Sequence, residues 1–145
     1  MQLAIELTGS LRNIVTDDDI IFPNVQTCVA LIAVINGTLV GAHLTLINRR
    51  NLSAVANKIA ADHPGAITDL YVVGPVLGGP GGDYNPSAFA NFGGQIHMCL
   101  TQCVPTGIDV RAVMAGGIVR IYRRPKTPGD HGSGWVLIPD NEFVG

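Results

Sequence analysis

The chain has 145 residues, about one domain's worth, and residues 1–145 are expected to fold as a single unit. Apolar residues make up 47% and charged residues 14%, a balance that excludes an intrinsically disordered chain. Nine basic against eleven acidic residues leave a net charge of −2. The one basic run, Arg120 with Arg123, Arg124 and Lys126, is short, so no nucleic-acid partner is expected.

The longest apolar run, Cys28 to Ile35, stops at Asn36-Gly37 and falls well short of a membrane span. Met1 to Leu7 lacks the basic region and long apolar core of a signal peptide. Three cysteines cannot form a fully paired disulfide framework, which makes a reducing cytoplasm the default address. The same folding chemistry suits a protein delivered into a host cytoplasm.

The elements begin with a hairpin. Val25 to Ile35 is rich in β-branched residues, Asn36-Gly37 is the pair best suited to a tight turn with positive φ, and Thr38 to Ile47 continues as a second extended run. Both arms are too apolar for a half-exposed strand, so they are expected to be buried on two faces. Leu52, Val55, Ala56, Ile59 and Ala60 form one apolar stripe at helical spacing, with Asn51 or Ser53 as cap and Pro64-Gly65 as terminator.

Ile67 to Val76 reads as a strand, Leu77 to Tyr84 as a glycine-rich loop, and Ser87 to Phe92 as a short helix capped by Asn85 with Pro86 at its first position. Gln95 to Val104 fits strand or helix. Asp109 to Met114 and Gly117 to Arg123 read as strands joined at Ala115-Gly116, and Trp135 to Ile138 as a last short strand. The expected class is α+β, a largely antiparallel sheet or β-sandwich flanked by two or three helices.

The hairpin carries the chemistry. Counting outward from its turn, Cys28 in one arm and His43 in the other come to lie nearly opposite, offset by two positions on one face. An imidazole beside a thiol lowers the thiol's pKa and can hand a proton to a leaving amine. The plainer reading keeps both as core residues, since cysteine often just fills space.

The run Thr27-Cys28-Val29-Ala30-Leu31, then Asn36-Gly37, then Gly41-Ala42-His43-Leu44, resembles the Cys…His core of the superfamily that joins the chemoreceptor glutamine deamidases and the cytotoxic necrotizing factors. The downstream order is similar too, through the helix at Leu52 to Ala61 and the segment Gly116-Gly117-Ile118-Val119-Arg120. Gln26-Thr27 stands where the chemotaxis enzyme has Gly-Ser. Phe22 stands where several members carry a third catalytic threonine, a role the necrotizing factors give to a backbone carbonyl. The resemblance implies deamidation of a glutamine side chain on a partner protein, with Cys28 as nucleophile, His43 as base and acid, and no metal or organic cofactor. Asn24, a polar side chain a few positions upstream, is the candidate to orient the imidazole, while the Cys28 backbone N–H is the natural oxyanion donor.

Other constellations are weaker. Cys99 and Cys103, with His97, supply one close pair of ligands where a structural zinc site wants two, and read as core thiols. The Gly78 to Gly82 run lacks the Lys-Ser/Thr of a phosphate loop. His63 sits at a helix end, where a cation favours the dipole. Ser133, His131 and Asp130 lack a nucleophile elbow. Two rival functions stay open: a non-catalytic binding or structural module, and a thiol amidase or transamidase on a small-molecule amide.

Overall fold

The computed structural model describes residues 1–7, 11–45, 48, 51–75, 86–100, 107–126 and 132–144. In chain order the strands are β1 (Gln2–Leu3), β2 (Val15–Thr16), β3 (Asp19–Val25), β4 (Val29–Ile35), β5 (Thr38–Leu44), β6 (Ile67–Gly74), β7 (Gln95–Leu100), β8 (Ile108–Ala115), β9 (Ile118–Pro125) and β10 (Val136–Leu137). Helix α1 (Leu52–Asp62) lies between β5 and β6, and 3-10 helices span Pro86–Phe92 and Asp140–Glu142. The fold is α+β. One sheet runs β1-β3-β8-β9-β10 and the other β2-β5-β4-β6-β7. Pairing is antiparallel except at β1–β3 and β6–β7.

The β4–β5 hairpin turns at Asn36 and Gly37, with φ of 52° and 74°, the double positive φ that an Asn-Gly pair tolerates best. Its register runs from Ile35 opposite Thr38 to Val29 opposite Leu44. All seven residues of β4 are buried, as a run without polar alternation requires. One face of this sheet (Leu31, Ala33, Val40, Leu70, Val72) packs on Leu52, Val55 and Ile59 of α1 and on Phe89 and Phe92. The other (Ala30, Ile32, Leu39, Val73) packs on Ile20, Phe22, Val110, Ala112 and Ile121 of the first sheet. The molecule thus has three layers, sheet on sheet on helix, and the hairpin is its middle.

The first arm starts later than its β-branched residues suggest. Residues 26–28 form a bend, and Val25 belongs to β3, a strand of the opposite sheet. The ambiguous stretch at Gln95 resolves as β7, parallel to β6. Asn51 occupies the α1 N-cap position without a side-chain cap bond. The glycine-rich run 77–84 and Asn85 lie outside the described residues.

The N-terminal segment joins the sheets. Gln2 and Leu3 pair with Ile20 and Ile21, and the Ala4 N–H donates to the Ile21 carbonyl at 2.8 Å. Glu6 then bridges to His43 of the other sheet, and the Leu7 N–H donates to the His43 carbonyl at 3.0 Å. One short stretch of backbone therefore crosses from β3 to β5 and delivers residues 4–6 to the end of the hairpin.

Two of the four cations of the basic run are committed to structure. Arg124 is buried with its Nε 3.1 Å from Asp109 and its guanidinium 4.2 Å from the Trp135 ring centre, and Arg123 pairs with Glu142. Among the described residues, no helix is long and apolar enough to cross a membrane.

Candidate functional site

The hairpin register decides where the thiol and the imidazole meet. Ala30 is the partner of His43, so Cys28 lies two positions back, a diagonal neighbour on the same strand face. Ala30 and Ile32 point between the two sheets, and Cys28 and His43 share that parity. Cys28 is 7% exposed and His43 1%.

Two glycines make room for this arrangement. A Cβ on Gly41, two residues before His43, would sit 2.9 Å from Phe22 Cζ and 3.1 Å from Ile20. The missing side chain in Gly41-Ala42-His43 is thus space that the facing sheet fills, and Phe22 turns its ring edge toward the imidazole at 6.4 Å between centres. Gly74, at the end of β6, brings its backbone against that of Cys28. A Cβ there would lie 2.8 Å from the Cys28 carbonyl oxygen and 3.1 Å from Val29 Cα.

His43 Nδ1 donates to the Ala4 carbonyl at 2.9 Å. A carbonyl can only accept, so the ring carries its hydrogen on Nδ1 and leaves a lone pair on Nε2. That Nε2 is buried and has no hydrogen-bond partner among the described residues. Cys28 Sγ donates to Glu6 Oε1 at 3.6 Å. One donor atom from each of Glu6, Cys28 and His43 lies within 4.8 Å of the other two. Glu6 is exposed, so this cluster meets solvent at its carboxylate.

The electrostatics correct one expectation. The sequence suggests a thiolate held by an imidazolium, but the Cys28 thiol is pushed up to about 11. Burial is the main cause, and the neighbouring Glu6 carboxylate adds to it through its charge and its hydrogen bond. Burial also lowers His43 below its ordinary value, against the opposing pull of the Ala4 carbonyl and the Glu6 charge. At neutral pH the resting pair is a neutral thiol beside a neutral imidazole.

Asn24 is placed in a different network. It sits at an irregularity of β3 with φ of 59°, its N–H donates to Asp109 Oδ1 at 3.0 Å, and its side-chain oxygen abuts Gly107. Among the described residues no hydrogen bond joins it to Cys28 or His43, and the Ala4 carbonyl occupies the orienting position on Nδ1. Glu6 was not legible as a site residue. It is one acid in a short, mostly apolar segment, Gln2-Leu3-Ala4-Ile5-Glu6-Leu7, 22 positions before Cys28.

The remaining candidates separate. Cys99 is buried in β7 and joins the core between the sheets, while Cys103 and residues 127–131, with Asp130 and His131, lie outside the described residues. Ser133 offers its carbonyl to Arg124 at 2.6 Å. His63 caps α1 with Nε2 3.2 Å from Thr16 Oγ1. His97 contacts Asp69 at 3.0 Å and stacks on Tyr71.

Comparison with protein-family models, with curated proteins and with solved structures returned no match.

Proposed function

We propose that the chain is a cysteine amidohydrolase that deamidates a glutamine side chain of a partner protein, with Cys28 as nucleophile and His43 as general base and acid. The observation that carries this reading is the buried His43, clustered with the Cys28 sulfur, its ring pinned by the Ala4 carbonyl and its Nε2 unpartnered among the described residues. A buried lone pair on a fixed ring beside a thiol is what a general base requires. The pinning carbonyl also matches the orienting group of the necrotizing factors in the resemblance drawn from Cys28 and Gly41-Ala42-His43.

The neutral resting pair sets the order of events. Nε2 takes the thiol proton as Sγ adds to the carboxamide carbon, and the new oxyanion is met by backbone donors such as the Cys28 N–H. The imidazolium returns its proton to the departing nitrogen, ammonia leaves and a thioester remains. Water then gives a proton to Nε2 and its oxygen to the carbonyl carbon. The C–S bond breaks, the sulfur regains a proton and a glutamate side chain is released. The Glu6 charge favours the imidazolium in both halves and repels the carboxylate product. This chemistry uses no metal or organic cofactor and works in a cytoplasm, the cell's own or a host's.

The test is ammonia release from casein as a glutamine-rich substrate, with peptide mass spectrometry to find converted glutamines. Wild-type protein converts protein-bound glutamine, and Cys28→Ser and His43→Gln, both folded by circular dichroism, do not. Conversion of free glutamine instead points to a small-molecule amidase. The burial of the thiol favours a second reading, a non-catalytic module with Cys28 and His43 in its core. In that case no ammonia appears from casein or from a protein lysate, and no acyl adduct forms on Cys28.

A further inference from the structure

We infer that Glu6, Cys28 and His43 bind one thiophilic divalent cation of the zinc class. Sulfur, imidazole nitrogen and carboxylate oxygen are three donors suited to zinc, and they come from three separate stretches of backbone that the hairpin and the crossing N-terminal segment hold together. Two distances fit. Zinc bonds of about 2.3 Å to sulfur and about 2.0 Å to oxygen, at a tetrahedral angle, set those ligands about 3.5 Å apart. Sγ and Oε1 already stand 3.6 Å apart. A ring nitrogen of His43 lies within 4.8 Å of both, so binding draws the imidazole inward by up to about 1.3 Å.

An independent observation points to a ligand. His43 is 1% exposed, yet its Nε2 has no hydrogen-bond partner among the described residues. A buried polar atom left unpaired is costly, and a metal bond relieves it. The Nδ1–H bond to the Ala4 carbonyl is the outer-shell contact that zinc-bound histidines make, and it presents Nε2 as the lone pair. Binding forms a Zn–S bond and releases the thiol proton to solvent. A dication with one thiolate and one carboxylate leaves the pocket neutral, and the exposed Glu6 side leaves room for water as a fourth ligand. Among the described residues no other trio of His, Cys, Asp or Glu gathers in this way.

A consequence for catalysis rests on the hydrolase reading: a cation holding both Sγ and Nε2 takes away the nucleophile and the base together, so the metal-loaded protein is the inactive form.

The probe is cobalt(II), titrated into the reduced full chain and read by its thiolate-to-metal charge-transfer absorption, with zinc as competitor. The expected result is saturation at one equivalent, loss of the band when zinc is added, and release of a proton. Cys28→Ser abolishes the band. Glu6→Gln, at an exposed position that keeps the fold, weakens binding about tenfold or more, because losing a ligand costs at least as much as losing an outer-shell contact. The inference is overturned if wild-type protein gives no band, if the band survives in Cys28→Ser, or if Glu6→Gln binds cobalt as tightly as wild type. Casein deamidation in chelator is scored separately. Its absence removes the hydrolase reading and leaves the metal site standing, whereas deamidation without a cobalt band does the reverse.

Discussion

The Ala4 carbonyl lies 2.9 Å from His43 Nδ1, which fixes the ring's hydrogen on that nitrogen and leaves the lone pair on the buried Nε2. Ala4 belongs to the segment that leaves β3 and joins β5, so the orientation of a residue in one sheet is set by a strand anchored on the other. The site therefore depends on how the two sheets are stitched together, and the following outcomes derive from that dependence.

Alkylation of Cys28 tracks its thiolate. With the thiol pushed up to about 11 from an ordinary 9.0, iodoacetamide labelling rises to half its maximum near pH 11. Glu6→Gln removes the secondary causes of that shift and leaves burial, so the midpoint moves down part of the way and labelling at pH 9 increases several-fold. Peptide mass spectrometry across a pH series measures both, and a wild-type midpoint near 8 contradicts the neutral resting pair. The same shift links to stability. A folded-state pKa above the unfolded value contributes stability that is complete below pH 9 and is lost as the pH rises toward 11, by roughly 2–3 kcal/mol. Cys28→Ser lacks that alkaline loss.

His43 gives the opposite limb. Its folded pKa is lowered below 6.5, so its contribution is present above pH 6.5 and is lost as the pH falls below it, when the unfolded chain binds a proton that the buried ring resists. Urea midpoints for wild type decline between pH 6.5 and 5. In His43→Gln the decline over that window is shallower, and parallel curves would show that the ring is not the titrating group.

Gly41→Ala places a methyl 2.9 Å from Phe22 Cζ. Overpacking of this kind costs about 1–3 kcal/mol. Phe22→Leu removes the ring it strikes, so the double variant is more stable than the two single losses sum to, and equilibrium denaturation of the four proteins measures the coupling. Additive losses sink the account of the Gly-Ala-His spacing as room for the facing sheet.

Gly74→Ala meets backbone atoms at 2.8 and 3.1 Å, which cannot swing aside as a side chain can. The expected outcome is a loss of about 1–3 kcal/mol together with displacement of the bend that holds Cys28. Cys28 labelling at pH 9 then changes while that of Cys99 does not. A variant with wild-type stability and labelling shows that β6 leaves more room at Cys28 than these distances allow.

What was legible in the sequence is what local rules control. Asn36-Gly37 selects a tight turn, the turn sets the register, and the register places Cys28 two positions from the partner of His43. The apolar stripe of α1, the continuous apolar run of β4 and the β8–β9 hairpin follow in the same way, although that hairpin turns at Gly116-Gly117, one residue beyond the expected Ala115-Gly116. Tertiary structure alone decided the rest. Glu6 and the Ala4 carbonyl reach the pocket because two sheets pack face to face and one strand spans both, and nothing within a window of neighbouring residues encodes that contact. The protonation of the pair was settled by the same packing. Spacing shows that an imidazole adjoins a thiol, but whether they exchange a proton depends on how much water and how much negative charge surround them, and the second sheet together with Glu6 supplies that environment.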